Sequence, residues 1–128
     1  MTTPTSTLSN RILAVDDNQD ALTVLRMLLQ LKGYQVETCT SGQQLLELGE
    51  AYGPEVILLD ISMPGLDGYE TCRRLREQPW GHSLLVIALT GYGQSEDRQR
   101  AQEAGFDGYL TKPIDMAALT NLLTKRRS

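Results

Sequence analysis

One histidine, two cysteines and a single phenylalanine in 128 residues leave several familiar chemistries without their parts. With only His82, histidine-based metal clusters and Ser-His-Asp hydrolysis are nearly excluded, and a solvated loop residue is expected there. Cys39 and Cys72 lack CxxC spacing and have no histidine beside them, which predicts buried free thiols in a reducing compartment. No apolar run approaches the roughly 20 residues that span a bilayer. Positive charge is in deficit: 12 Lys and Arg face 16 Asp and Glu, for a net charge of -4 and a pI near 4.9. Nucleic acid is therefore not expected as a direct partner, because phosphate contacts need a basic patch. The one basic run, Lys125-Arg126-Arg127, ends a helical pattern, where cations suit the helix dipole. Met1 to Asn10 has neither a basic start nor an apolar segment, so it reads as a flexible Ser- and Thr-containing leader rather than a signal peptide. No GxGxxG or GxxxxGK[ST] loop is present. A cytoplasmic protein that binds neither membrane nor nucleic acid is predicted.

What is present is an ordinary apolar share, 41%, with 22% charged residues, enough for one folded domain over 11–125 after a leader at 1–10 and before a tail at 126–128. Short β-type runs recur at Arg11 to Val15, Val56 to Leu59, Leu85 to Leu89 and Gly108 to Thr111. Continuous apolar runs of this length suit parallel strands whose faces are both covered by helices. Tyr34 to Thr40 alternates instead, as an edge strand with one face partly wet does. Helical spacing runs from Asp20 to Lys32, with Leu22, Leu25, Leu28 and Leu29 on one stripe and Gly33 as the stop. Ser41 with Gln44 and Asp67 with Glu70 are capping-box patterns that open two more helices, through Tyr52 and about Gln78. A polar helix from about Ser95 to Ala104, closed by Gly105, and a last one from Asp115 to about Thr124 complete the alternation. Five strands alternating with five helices predict an α/β fold: a doubly wound five-stranded parallel sheet flanked by five helices.

Polar residues stand directly at the ends of these runs: Asp16 and Asp17, Asp60, Thr90 and Lys112. Carboxyl ends of parallel strands share one rim of the sheet, where open α/β folds bind ligands. Three carboxylates brought together repel one another unless a cation neutralises them. Magnesium suits such a site, since it takes carboxylate oxygens, keeps several waters and leaves positions for phosphate oxygens; manganese is the other candidate. A carboxylate can act as nucleophile toward phosphorus, and the transferred group then needs cationic and hydroxyl partners for its equatorial oxygens. Lys112 and Thr90 supply both types. Pro113 restricts the backbone of Lys112 and is compatible with a cis bond that turns the ammonium inward.

Taken together, these residues resemble the receiver domain of two-component response regulators. The resemblance rests on the Asp16-Asp17 pair, Leu58-Leu-Asp-Ile-Ser-Met-Pro-Gly-Leu-Asp-Gly68, Ala88-Leu-Thr-Gly91, Glu103-Ala-Gly-Phe-Asp107 and Tyr109-Leu-Thr-Lys-Pro113, in order and without insertion. It covers residues 11 to about 124 and implies the flavodoxin-like strand order 2-1-3-4-5. It also implies that Asp60 accepts a phosphoryl group from a sensor histidine kinase or a histidine phosphotransfer protein. Asp16, Asp17, Asp60 and the Ser62 carbonyl would hold magnesium. Thr90 and Lys112 would read the phosphate, and Tyr109 would be the switch aromatic that turns inward as Thr90 moves. The output face for a downstream target would span residues 94–124, in a monomer or weak homodimer. Ser62 and Tyr92 fall where the family tunes acyl-phosphate hydrolysis, and Thr90-Gly-Tyr-Gly-Gln94 resembles receivers joined to hybrid sensor kinases. Such a protein is a phosphoacceptor, with intrinsic acyl-phosphate transfer and hydrolysis, rather than a turnover enzyme acting on a separate metabolite. The alternative is a receiver-like interaction module that works without phosphorylation; the intact acid cluster argues against it. A haloacid-dehalogenase-type phosphatase would need a second aspartate where Ser62 stands.

Overall fold

Val56–Asp60 (β3) is buried at every position and forms the middle of the sheet. The computed structural model describes residues 11–61, 68–91 and 95–125, so the predicted contributions of Ser62 and Tyr92 and the Asp67 cap lie outside the described residues. Arg11–Val15 (β1), Gln35–Cys39 (β2), Leu85–Thr90 (β4) and Gly108–Thr111 (β5) join β3 in the order β2-β1-β3-β4-β5, with every neighbour parallel. The helices are Gln19–Leu31 (α1), Gly42–Tyr52 (α2), Gly68–Glu77 (α3), Ser95–Ala104 (α4) and Met116–Lys125 (α5). This is the predicted flavodoxin-like α/β architecture. None of the described helices is long and apolar enough to cross a membrane.

Side chains alternate across a strand, so the continuous apolar runs feed two separate cores. Leu13, Val15, Ile57, Leu59, Val86 and Ala88 face α2, α3 and α4, where they meet Leu45, Cys72, Leu75, Ala101 and Ala104. Ile12, Ala14, Val56, Leu58, Ile87 and Leu89 face α1 and α5, packing on Leu22, Leu25, Leu29, Leu119 and Leu123. Cys39 and Cys72 are buried free thiols, as predicted, and burial pushes both up to about 11. His82 is exposed.

Local chemistry sets the helix ends. Ser41 Oγ accepts from the Gln44 N–H at 3.1 Å, as its spacing predicts, but the Gln44 side chain reaches one residue further back and accepts from the Thr40 N–H at 2.8 Å. Asp115 Oδ1 accepts from the Ala117 N–H at 2.9 Å and opens α5. Gly105 closes α4 at φ 108°, a left-handed conformation that side chains rarely adopt. The stripe of α1 needs one correction: Leu22, Leu25 and Leu29 are buried, whereas Leu28 is 39% exposed. It joins Val24, Met27 and Leu31 on an outward apolar face.

Candidate functional site

Four neighbouring strands deliver the predicted residues to one rim. Asp16 follows β1 and its N–H donates to the Cys39 carbonyl at 3.2 Å, continuing the β1–β2 ladder by one residue. Asp60 and Thr90 are the last residues of β3 and β4. Lys112 follows β5, and its N–H donates to the Thr90 carbonyl at 2.7 Å. The Lys112–Pro113 bond is cis. Adjacent strands lie about 4.8 Å apart, so side chains leaving their ends meet. Asp16, Asp60 and Thr90 are each no more than 3% exposed, while Asp17 faces solvent.

Lys112 bridges the two buried acids: its Nζ donates to Asp16 Oδ2 at 2.7 Å and to Asp60 Oδ2 at 2.9 Å. Burial pushes the Asp16 carboxyl above its ordinary value and the Asp60 charge adds to this, while hydrogen bonds from Lys112 and the Asn18 N–H pull it down. For Lys112, burial alone would lower the pKa; the hydrogen bonds to Asp16 and Asp60 outweigh it and leave the ammonium held above its usual value. The lysine is thus charged across the physiological range and serves as a built-in counter-ion.

One ammonium does not balance three carboxylates. Ligand oxygens of Asp16, Asp17 and Asp60 lie within 4.8 Å of one another. This donor set is hard, oxygen-only and partly open to solvent through Asp17, which fits a magnesium-type ion that keeps some of its waters. Residues that position the site were less visible in the sequence. Asn18, rather than either aspartate, caps α1: its side chain accepts from the Ala21 N–H at 3.1 Å. Asp16 Oδ1 accepts from the Asn18 N–H at 3.0 Å, so the cap and the acid cluster share one turn. An Asp-Asp-Asn run before a helix contains three possible caps, and spacing alone does not choose among them. Gly68 is the second such residue. A Cβ there would lie 2.5 Å from the Ile61 Cα and 3.0 Å from the Asp60 carbonyl oxygen, so α3 starts pressed against the backbone of the buried acid.

Tyr109 lies on β5, half-buried against the core beneath α4. The Arg98 guanidinium sits over its ring, 5.4 Å from the centroid. Thr90 and Thr111 are register partners, as are Ala88 and Tyr109. Tyr109 and Thr90 therefore share one face of the sheet, placed diagonally, with Ala88 and Thr111 at the other two corners.

The family model for the response regulator receiver domain matches residues 12–124. An uncharacterised 14.6 kDa protein of Leptolyngbya boryana is 42% identical over 112 residues, covering 88% of this chain and 86% of that one. The signal transduction histidine-protein kinase BarA of Escherichia coli is 35% identical over 96% of this chain, which spans only 13% of the kinase. Among solved structures, the receiver domain of the sensor histidine kinase PA1611 from Pseudomonas aeruginosa, with magnesium coordinated in its active-site cleft, superposes with a TM-score of 0.83 at 35% identity. That likeness covers 91% of this chain and 95% of the other.

Proposed function

The chain belongs to the response regulator receiver family of two-component signalling, and on that premise we propose that it accepts a phosphoryl group on Asp60 from a phosphohistidine donor. The observation that carries this reading is the Lys112 bridge between two buried carboxylates, with Asp17 close enough to complete a cation site. A carboxylate oxygen of Asp60 attacks phosphorus while the P–N bond to the donor imidazole breaks, and the ring nitrogen keeps the electron pair. Lys112 then moves from the carboxylates to a phosphoryl oxygen, and the Thr90 hydroxyl donates to another. Asp16, Asp17, an Asp60 oxygen and the Ser62 carbonyl would hold magnesium, or manganese in its place. A bound ion would neutralise charge on the phosphoryl oxygens. The reaction is an exchange of one phosphoryl group, with slow hydrolysis of the acyl phosphate, rather than turnover of a separate metabolite.

The donor is a sensor histidine kinase or a histidine phosphotransfer protein, and the outward apolar face of α1 supports docking beside the acid cluster. A groove of about 460 Å³ there is lined by Leu25, Leu28, Ile114 and Met116 and also includes Asp16 and Lys112. Val24 lines it as well, and the exposed Met27 and Leu31 extend the apolar face of α1 beyond it. An amphipathic helix carrying the phosphohistidine fits such a strip. The response passes through Thr90 and Tyr109 to residues 94–124, the face for a downstream target. The polar surface of α4 suits a monomer or weak homodimer in the cytoplasm.

Magnesium with a small acyl phosphate should add one phosphoryl group to the intact protein, read by mass, and Asp60→Asn should abolish the addition. A parent protein that gains no mass under these conditions would sink the reading.

A further inference from the structure

We propose that Asn18 is a positioning residue for the cation site: by capping α1 it fixes the turn that presents Asp16 and Asp17, and so couples the acid cluster to that helix; this rests on the phosphoacceptor reading above. The two acids are held differently. Asp16 is buried and clamped on both oxygens, by the Asn18 N–H at 3.0 Å on Oδ1 and by the Lys112 ammonium at 2.7 Å on Oδ2. Asp17 faces solvent, yet one of its oxygens lies within 4.8 Å of oxygens of Asp16 and Asp60. An exposed side chain is aimed by its backbone. The conformation of residues 16–18 therefore decides whether Asp17 meets the same ion as the two buried acids.

That turn is pinned at both ends. At its start the Asp16 N–H donates to the Cys39 carbonyl at 3.2 Å, so β1 and β2 hold it. At its end the Asn18 side chain accepts from the Ala21 N–H at 3.1 Å, with Asn18 itself extended at φ -93° and ψ 104°. The Asn18 carbonyl accepts from the N–H of Leu22, also at 3.1 Å, and Leu22 is buried against the sheet. One residue thus gives its N–H to the acid and both of its oxygens to the helix. Removing the amide side chain leaves the link to Asp16 in place but frees the rotation of residue 18. By linkage, an ion that fixes the turn favours the cap to the same extent that the cap favours the ion. α2 supplies an internal comparison. Ser41 caps it by the same bond, from the Gln44 N–H at 3.1 Å, but the acid cluster lies on another turn.

The test is manganese binding to the full chain, read from the paramagnetic resonance signal of the free ion, with thermal unfolding measured alongside. Asn18→Ala should bind manganese about two- to fivefold more weakly than the parent, the share of a cap's contribution that passes to the ion. Asn18→Ser, whose hydroxyl also caps, should recover most of that affinity. Ser41→Ala should lose comparable stability and keep the parental affinity. In the reverse direction, saturating magnesium should slow hydrogen exchange at the Ala21 amide of the parent more than at the Gln44 amide, and this difference should vanish in Asn18→Ala. Parental affinity in Asn18→Ala, no recovery in Asn18→Ser, or equal weakening in Ser41→Ala overturns the proposal while leaving the acceptor reading intact. A parent that binds no manganese overturns both.

Discussion

α1 and α4 lie on opposite faces of the same sheet and are held by opposite means. α1 puts Leu22, Leu25 and Leu29 into the core and still presents Val24, Met27, Leu28 and Leu31 to solvent. Each buried leucine contributes about 1.5–3 kcal/mol, so the helix is fixed and its outer apolar strip is a rigid surface. α4 buries alanines and reaches its neighbours through arginines. Its far end is tied down instead: Arg76 of α3 donates to the Gly105 carbonyl at 2.8 and 2.9 Å and to Asp107 Oδ2 at 2.7 Å. A helix clamped at one end and lightly held along its length can pivot, whereas a helix rooted in leucine offers a stable platform. The contrast separates a place suited to receiving a donor from a place suited to moving.

The sharpest way to break this contrast is to compare core substitutions. Leu29→Ala should cost about 2–5 kcal/mol in denaturant unfolding, whereas Ala101→Gly in α4 should cost about 1 kcal/mol. Equal losses would mean that α4 is anchored as firmly as α1.

A smaller effect distinguishes docking from chemistry. Leu28→Glu should slow phosphotransfer from a phosphohistidine protein at least tenfold, about 1.4 kcal/mol, while phosphorylation by a small acyl phosphate stays at the parental rate. A parallel fall in both rates would remove the α1 strip as a docking surface.

The smallest effect per residue is confined to the core on the α4 side, which contains both thiols. Folding raises each thiol from an ordinary value near 9.0 to about 11, so the folded state binds protons more tightly. Stability from this source is complete below pH 9 and declines as pH climbs toward 11. At pH 10 the loss is about 1 kcal/mol for each thiol, relative to pH 8. Replacing both cysteines with alanine should flatten the slope of stability between these pH values; an unchanged slope would place the titration elsewhere.

Much of this architecture is legible in order alone. Apolar runs covered on both faces announce themselves by lacking alternation, and the acids, hydroxyl and lysine at their ends need only the rule that parallel strands share a rim. The flanks of α1 are harder. Leu28 lies on the helical stripe with Leu25 and Leu29, and only the position of α5 and the loop before it determines that this leucine faces a groove. The Asn18 cap was hidden by two adjacent aspartates of equal capping strength. Contacts such as Arg76 with Asp107 and Arg98 with Tyr109 join residues that no local period connects. Arginines on a polar helix read as solvated surface until the fold brings a ring beneath them.

Gly68 adds a constraint on how this chain can diverge. The backbone of Asp60 and Ile61 has a helix start lying against it at a distance that leaves no room for a methyl group. Evolutionary drift at that position is closed by geometry, even though the residue has no charge, no hydrogen-bonding side chain and no part in the chemistry. The placement of the carboxylate at Asp60 depends as much on an atom that is missing next door as on the ammonium that greets it.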